Sequence, residues 1–161
     1  MCLRRDDFSY DESGYVLVYV DGSCIGNGTP GAKAGIGVYW RDGHRLNVSQ
    51  PASKPTNNVA EIEAVAKAAK QAKANQIQKL HIVSDSKYVY DCLFNWMPKK
   101  WKLNGWKTSE GQPVKNRSEL EHLESILSGL DSIKWSHVES HSGIPGNDKA
   151  DQLAKQAALQ Q

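Results

Sequence analysis

The stretch YVLVYVDGSCIGNG, Tyr15–Gly28, decides the fold. Its first six residues are continuously apolar and β-branched or aromatic, the mark of a central strand buried on both faces. The run stops at Asp21, and DGSCIGNGTPG then reads as a glycine-rich loop. Working outward, AGIGVYW (Ala34–Trp40), the turn RDGH and a short strand near Arg45–Ser49 complete an opening set of three antiparallel strands. The segment Asn58–Asn75 is rich in Ala, Glu, Lys and Gln, with apolar residues recurring at three and four positions, and predicts a helix. KLHIVS (Lys79–Ser84) repeats the first theme, an apolar strand that ends on an aspartate, Asp85. Ser86–Trp96 reads as a helix that Pro98 interrupts, and a polar stretch carrying tryptophans runs on to Val114. A helix over Ser118–Ser128, the strand IKWSHV (Ile133–Val138), the loop SHSGIPG and a closing helix over Asn147–Leu159 complete the chain. This order predicts an α/β fold: a five-stranded mixed sheet, three antiparallel strands followed by two parallel ones, flanked by helices.

The chain has 161 residues, 39% of them hydrophobic, enough for one sizeable core and too few for two ordinary domains. We expect a flexible leader over residues 1–14 and one domain over 15–161. The net charge of +2 does not announce a polyanion binder, so any positive patch must be local. Three cysteines, odd in number and without CxxC spacing, exclude a disulfide scaffold and a zinc ribbon and suit a reducing, intracellular setting. The sequence does not choose among nucleus, mitochondrion and cytoplasm. No secretory signal and no apolar run of membrane-spanning length is present, so no membrane partner is expected.

Four acids stand out. Asp21 and Asp85 end two strands that crossover helices make parallel, and adjacent carboxyl ends of such strands are where open α/β sheets place ligands. Glu61 lies on the stripe of its helix that faces the sheet, one turn before Val65, and Asp151 shares a face with Ala154 and Ala158. Each has an ordinary explanation, in turn formation or in the helix dipole. Together, crowded carboxylates raise one another's pKa and are unfavourable unless cations neutralise them. An oxygen-only ligand set suits Mg²⁺, with Mn²⁺ able to substitute, and two such ions are a known device for in-line phosphoryl displacement.

The segments VDGSCIGNG, PTNNVAEIEA, VSDSKYV, NWMPKKWKLNGWKTSEGQPVKN and ESHSGIPGNDKADQLA resemble the ribonuclease H type 1 family, in that family's order and over about Tyr15–Ala158. The AGIGVYW strand and the tryptophan-bearing segment look closer to its eukaryotic branch than to its bacterial one. The resemblance implies the ribonuclease H-like fold and a sequence-independent endonuclease. It would hydrolyse the RNA strand of an RNA–DNA hybrid by a two-metal-ion mechanism and leave 5′-phosphate and 3′-hydroxyl ends. It makes Asp21, Glu61, Asp85 and Asp151 the metal ligands and His141 the group that assists proton transfer or product departure. A loop histidine has a suitable pKa for that task. The family usually has Gly where this chain has Ser140, which would stiffen the loop.

Between Ser86 and Arg117, seven basic residues face two acids, interleaved with Trp96, Trp101 and Trp106, a composition suited to a phosphate and sugar surface. By the resemblance, Trp96, Trp101 and Ser109 line a channel for the DNA strand. Lys54, Thr56 and Asn116 form a pocket for a DNA phosphate, and Asn27, Asn57 and Asn58 reach the minor groove. Lys54 replaces a frequent Arg and loses its bidentate geometry, and Asn58 replaces a frequent, longer Gln. A monomeric catalytic domain is expected. Three other readings fit parts of the sequence: a DNA-processing nuclease on the same fold, a non-catalytic hybrid-binding module, and a structural domain with surface acids.

Overall fold

The computed structural model describes residues 7–139 and 143–161. Its five strands follow the order β3-β2-β1-β4-β5. Strands β1 (Val16–Ile25), β2 (Lys33–Tyr39) and β3 (Val48–Pro51) are antiparallel neighbours. β4 (Lys79–Ser84) runs parallel to β1, and β5 (Ser132–His137) runs parallel to β4. The helices are α1 (Asn57–Ala74), α2 (Lys87–Asp91), α3 (Lys102–Asn104), α4 (Arg117–Leu127) and α5 (Pro145–Leu159). This is the mixed sheet with flanking helices that the element order predicts.

Three local expectations are corrected. The sequence reading ends the first strand at Asp21, but β1 continues through Ile25, with Gly22 opposite Ile36 and Ile25 opposite Lys33. The parallel pairing with β4 does stop at Val20 and Ser84, so only one edge of β1 is released at Asp21, and β2 goes on satisfying the other. β3 begins at Val48 rather than Arg45, because the preceding turn is longer than RDGH alone. Asn47 donates its amide to His44, and its side chain accepts from the Trp40 amide at 2.7 Å. Pro98 does not interrupt its helix. After α2 the chain takes a wider π winding over Cys92–Trp101 and runs directly into α3, which ends at Gly105 with φ +76°. The wider turn relieves the pressure that a proline ring puts on an α turn.

Residues 7–14, assigned to a leader by the sequence reading, pack on the sheet. Phe8 is 6% exposed and meets Trp40 edge-on, with centroids 5.5 Å apart. Asp11 accepts hydrogen bonds from the Ser13 and Tyr15 amides, and its other oxygen lies 2.8 Å from His81 Nδ1.

The core fills between the sheet and α1, with Val18, Val20, Ile62, Val65, Leu80 and Ile82 fully buried. Thr56 starts α1 by accepting a hydrogen bond from the Val59 amide at 3.2 Å. α5 covers the opposite face, where a Cβ on Gly35 or Gly37 would collide with the α5 backbone at Ala154 or Ala150. Among the described residues, no helix is long and apolar enough to cross a membrane.

Candidate active site

The close approaches that assemble the fold also assemble the acids. A Cβ on Gly22 would lie 2.5 Å from the Glu61 amide nitrogen, so the bare backbone at that position lets α1 press its first turns against β1. Glu61 is thereby set beside Asp21. On the other face, Gly37 is paired with Asp21 and faces the backbone of Ala150, which brings the next residue, Asp151, to the same place. Asp85 follows the last residue of β4, and Ser84 and Ser86 fix that exit through the Ser86 amide bond to Ser84 Oγ. Asp21, Glu61 and Asp85 each offer an oxygen, all within 4.8 Å of one another. Asp151 lines the same open pocket of about 340 Å³, along with Asn57 and Tyr88.

Asp21 and Glu61 are buried. Burial raises the pKa of both well above the carboxylate range. The charges of Glu61 and Asp85, with Asp151 in hydrogen-bond contact, push Asp21 further. Asp85 adds to the rise at Glu61, against which the Gly22 amide pulls back. Glu61 Oε2 is buried with no hydrogen-bond partner among the described residues. An orphaned carboxylate oxygen facing two further carboxylates is expensive on its own and natural beside a hard cation. The residues therefore fit a divalent metal held by oxygens. Asp151 has a local counter-charge, Lys155 Nζ at 3.0 Å one turn along α5.

His141, with Ser140 and Ser142, lies outside the described residues. Trp96, Trp101 and Ser109 line one largely apolar cavity of about 630 Å³, with Lys100 and Lys107 at its border. Ring centroids of Trp96 and Trp101 are 5.6 Å apart, while Trp106 is 7% exposed and belongs to the core. Asn116 donates to Tyr88 Oη at 3.2 Å, which ties the start of α4 to the acidic pocket. Lys54 is paired with Glu119 at 2.6 Å, and the hydroxyl of Thr56 serves as the cap of α1. Asn27 accepts from the Asn57 amide at 3.3 Å, and Asn58 is exposed. The sequence reading missed Tyr88, Glu119 and Lys155. Only Lys155 left a signal, its i,i+4 spacing from Asp151.

The RNase H family profile matches residues 13–159. Human Ribonuclease H1 is 46% identical over 159 residues, 98% of this chain and 54% of that protein. The chain thus spans about half the length of the curated mammalian relatives it matches. Ribonuclease H of Thiobacillus denitrificans is 37% identical over 90% of this chain and 94% of its own. Among solved structures, LC9-RNase H1, described as a type 1 RNase H with the type 2 active-site motif, aligns with a TM-score of 0.69 at 29% identity, over 90% of this chain and 72% of its own. The foamy viral protease-reverse transcriptase in complex with an RNA/DNA hybrid aligns with a TM-score of 0.74 at 26% identity, over 100% of this chain and 21% of that one.

Proposed function

Because the chain belongs to the ribonuclease H family, we propose that it is a hydrolase that cuts the RNA strand of RNA–DNA hybrids, endonucleolytically and without reading sequence. The observation that carries this reading is the gathering of Asp21, Glu61 and Asp85 within 4.8 Å, with Glu61 Oε2 buried and without a hydrogen-bond partner among the described residues. The four acids, Asp151 included, would hold two divalent cations, Mg²⁺ or in its place Mn²⁺. When bound, such ions stabilise the attacking and departing oxygens of an in-line displacement, which leaves 5′-phosphate and 3′-hydroxyl ends.

The protein's own contribution is placement. Buried Asp21 and Glu61 would supply oxygens from within the packed core, while half-buried Asp85 and Asp151 line the open pocket. His141 would receive or deliver a proton at the departing product. Asn27, Asn57 and Asn58 would meet the 2′-hydroxyl face of the wide minor groove, which requires RNA on the cut strand. Trp96 and Trp101, with Ser109, would pack against deoxyribose sugars, where an added hydroxyl does not fit. Lys54, Thr56 and Asn116 would hold a phosphate of that DNA strand. Phosphate contacts fix register and carry no base information, so cutting is sequence-independent.

Separate incubation of end-labelled RNA–DNA hybrid, RNA duplex and DNA duplex with Mg²⁺ tests the proposal. Shortening of the RNA strand in the hybrid alone is the expected result. Preferential cutting of duplex DNA would replace the reading with a DNA-processing nuclease. Persistent hybrid binding without turnover in Mg²⁺ or Mn²⁺ would leave a binding module.

A further inference from the structure

Lys54 does not stand free. Its Nζ lies 2.6 Å from Glu119 Oε1, and the second carboxylate oxygen, Oε2, accepts the Ser118 hydroxyl at 3.0 Å. The partners differ in freedom: the Lys54 side chain is 58% exposed and the Glu119 side chain 17%. Glu119 sits in the first turn of α4, three residues after Asn116. Lys54 precedes Thr56 by two residues in the loop that leads into α1, and the Thr56 amide donates to the Lys54 carbonyl at 2.9 Å. The ion pair therefore closes across the two segments that carry Lys54, Thr56 and Asn116. The hydrogen bond to Lys54 holds the Glu119 carboxyl below its usual range, as expected of a carboxylate that stays ionised there.

A carboxylate and a phosphodiester carry the same single negative charge and ask the same of an ammonium group. We propose that Glu119 is an internal stand-in for the DNA phosphate: it occupies Lys54 in the free protein, and a bound strand must take Lys54 away from it. The inference rests on the phosphate-pocket reading given under Proposed function. Glu119 then sets the affinity of that pocket. Lys54, the exposed and flexible partner, exchanges one anion for another, and the lost ion pair offsets part of what the phosphate contact contributes. The exchange also mutes the salt response, because salt that weakens the phosphate contact weakens the competing Lys54–Glu119 pair as well.

Hybrid binding, read by fluorescence anisotropy without divalent cation across a series of salt concentrations, tests this in wild type, Glu119→Gln, Lys54→Met and the double variant. Glu119→Gln should bind about threefold tighter, the equivalent of an exposed ion pair. Its dependence of log affinity on log salt should steepen, by less than the roughly one unit that a whole phosphate contact contributes. Both gains should vanish in the Lys54→Met background. Glu121→Gln, which removes an acid paired with Arg117 on the same helix, serves as the charge control and should show neither gain. A gain that survives without Lys54, or that Glu121→Gln reproduces, would mean a general charge effect and overturn the inference, as would unchanged or weaker binding of Glu119→Gln. Cleavage of the hybrid by wild type is scored separately. RNA cutting with no Glu119 effect removes the stand-in and keeps the activity, whereas the Lys54-dependent gain in a protein that cuts no hybrid does the reverse.

Discussion

Asp21 and Glu61 are carboxylates buried beside one another, an arrangement that disfavours the folded protein whenever both are ionised. Asp21→Asn keeps the oxygen that accepts the Gly22 amide and removes the group that must be either protonated or ionised at a cost inside the fold. In EDTA it should therefore melt above wild type, by about 2–4 °C for each kcal/mol relieved. Added Mg²⁺ should raise the melting temperature of wild type more than that of the variant, and cleavage should be lost. A lower melting temperature for Asp21→Asn in EDTA would contradict the repulsion argument. Asp11 illustrates the opposite sign. Burial alone would raise its pKa, but the Tyr15 amide, His81, the Ser13 amide and Lys134 outweigh it and lower the value from 3.8 to about 2. A lowered folded value means stability fully present above the unfolded pKa and lost as pH falls from 3.8 toward about 2. Denaturant titrations at successive pH values should show Asp11→Asn less stable than wild type at neutral pH. The gap should narrow across that acid window, and a gap independent of pH would refute the assignment.

At the scale of elements, Gly22 and the π winding carry the most information. A methyl at Gly22 would lie 2.5 Å from the Glu61 amide nitrogen and 2.6 Å from the Ala60 carbonyl carbon, so α1 must withdraw from β1. Gly22→Ala should cost about 1–3 kcal/mol, as overpacking does, and should cost activity in addition, because Glu61 moves with its helix. Full activity at reduced stability would show that the acids tolerate that shift. The π winding explains how Trp96 and Trp101, five residues apart, share one cavity. An α-helix brings residues four apart to one face, and i→i+5 winding does so for residues five apart. Deleting Pro98 leaves the tryptophans four apart and should return the segment to α winding with the pair intact. Hybrid affinity should then stay within about twofold of wild type. A large loss would show that the wide turn itself shapes the channel.

For the molecule as a whole, the sequence displayed what depends on short-range pattern. Apolar runs marked β1 and β4, three-and-four spacing marked α1, and the crossover order made β1, β4 and β5 parallel, as found. What it concealed depends on partners far along the chain. Residues 22–25 look like a loop by composition and are strand because β2 pairs with them. Phe8 looks like part of a leader and is core because Trp40 meets it. Glu119 looks like a helix-start acid and is also the partner of Lys54, 65 residues away. The acids were visible as oddities on buried faces, but their mutual distance is set by the glycines of β1 and β2, whose role is evident only once α1 and α5 are seen to press on them. The central claim is that this gathering performs the cleavage. It is tested most directly by the rate of Mg²⁺-dependent shortening of the RNA strand in a labelled hybrid, wild type against Asp85→Asn, with folding of both verified by melting. The account predicts a loss of about a hundredfold or more in the folded variant, and an undiminished rate would contradict it.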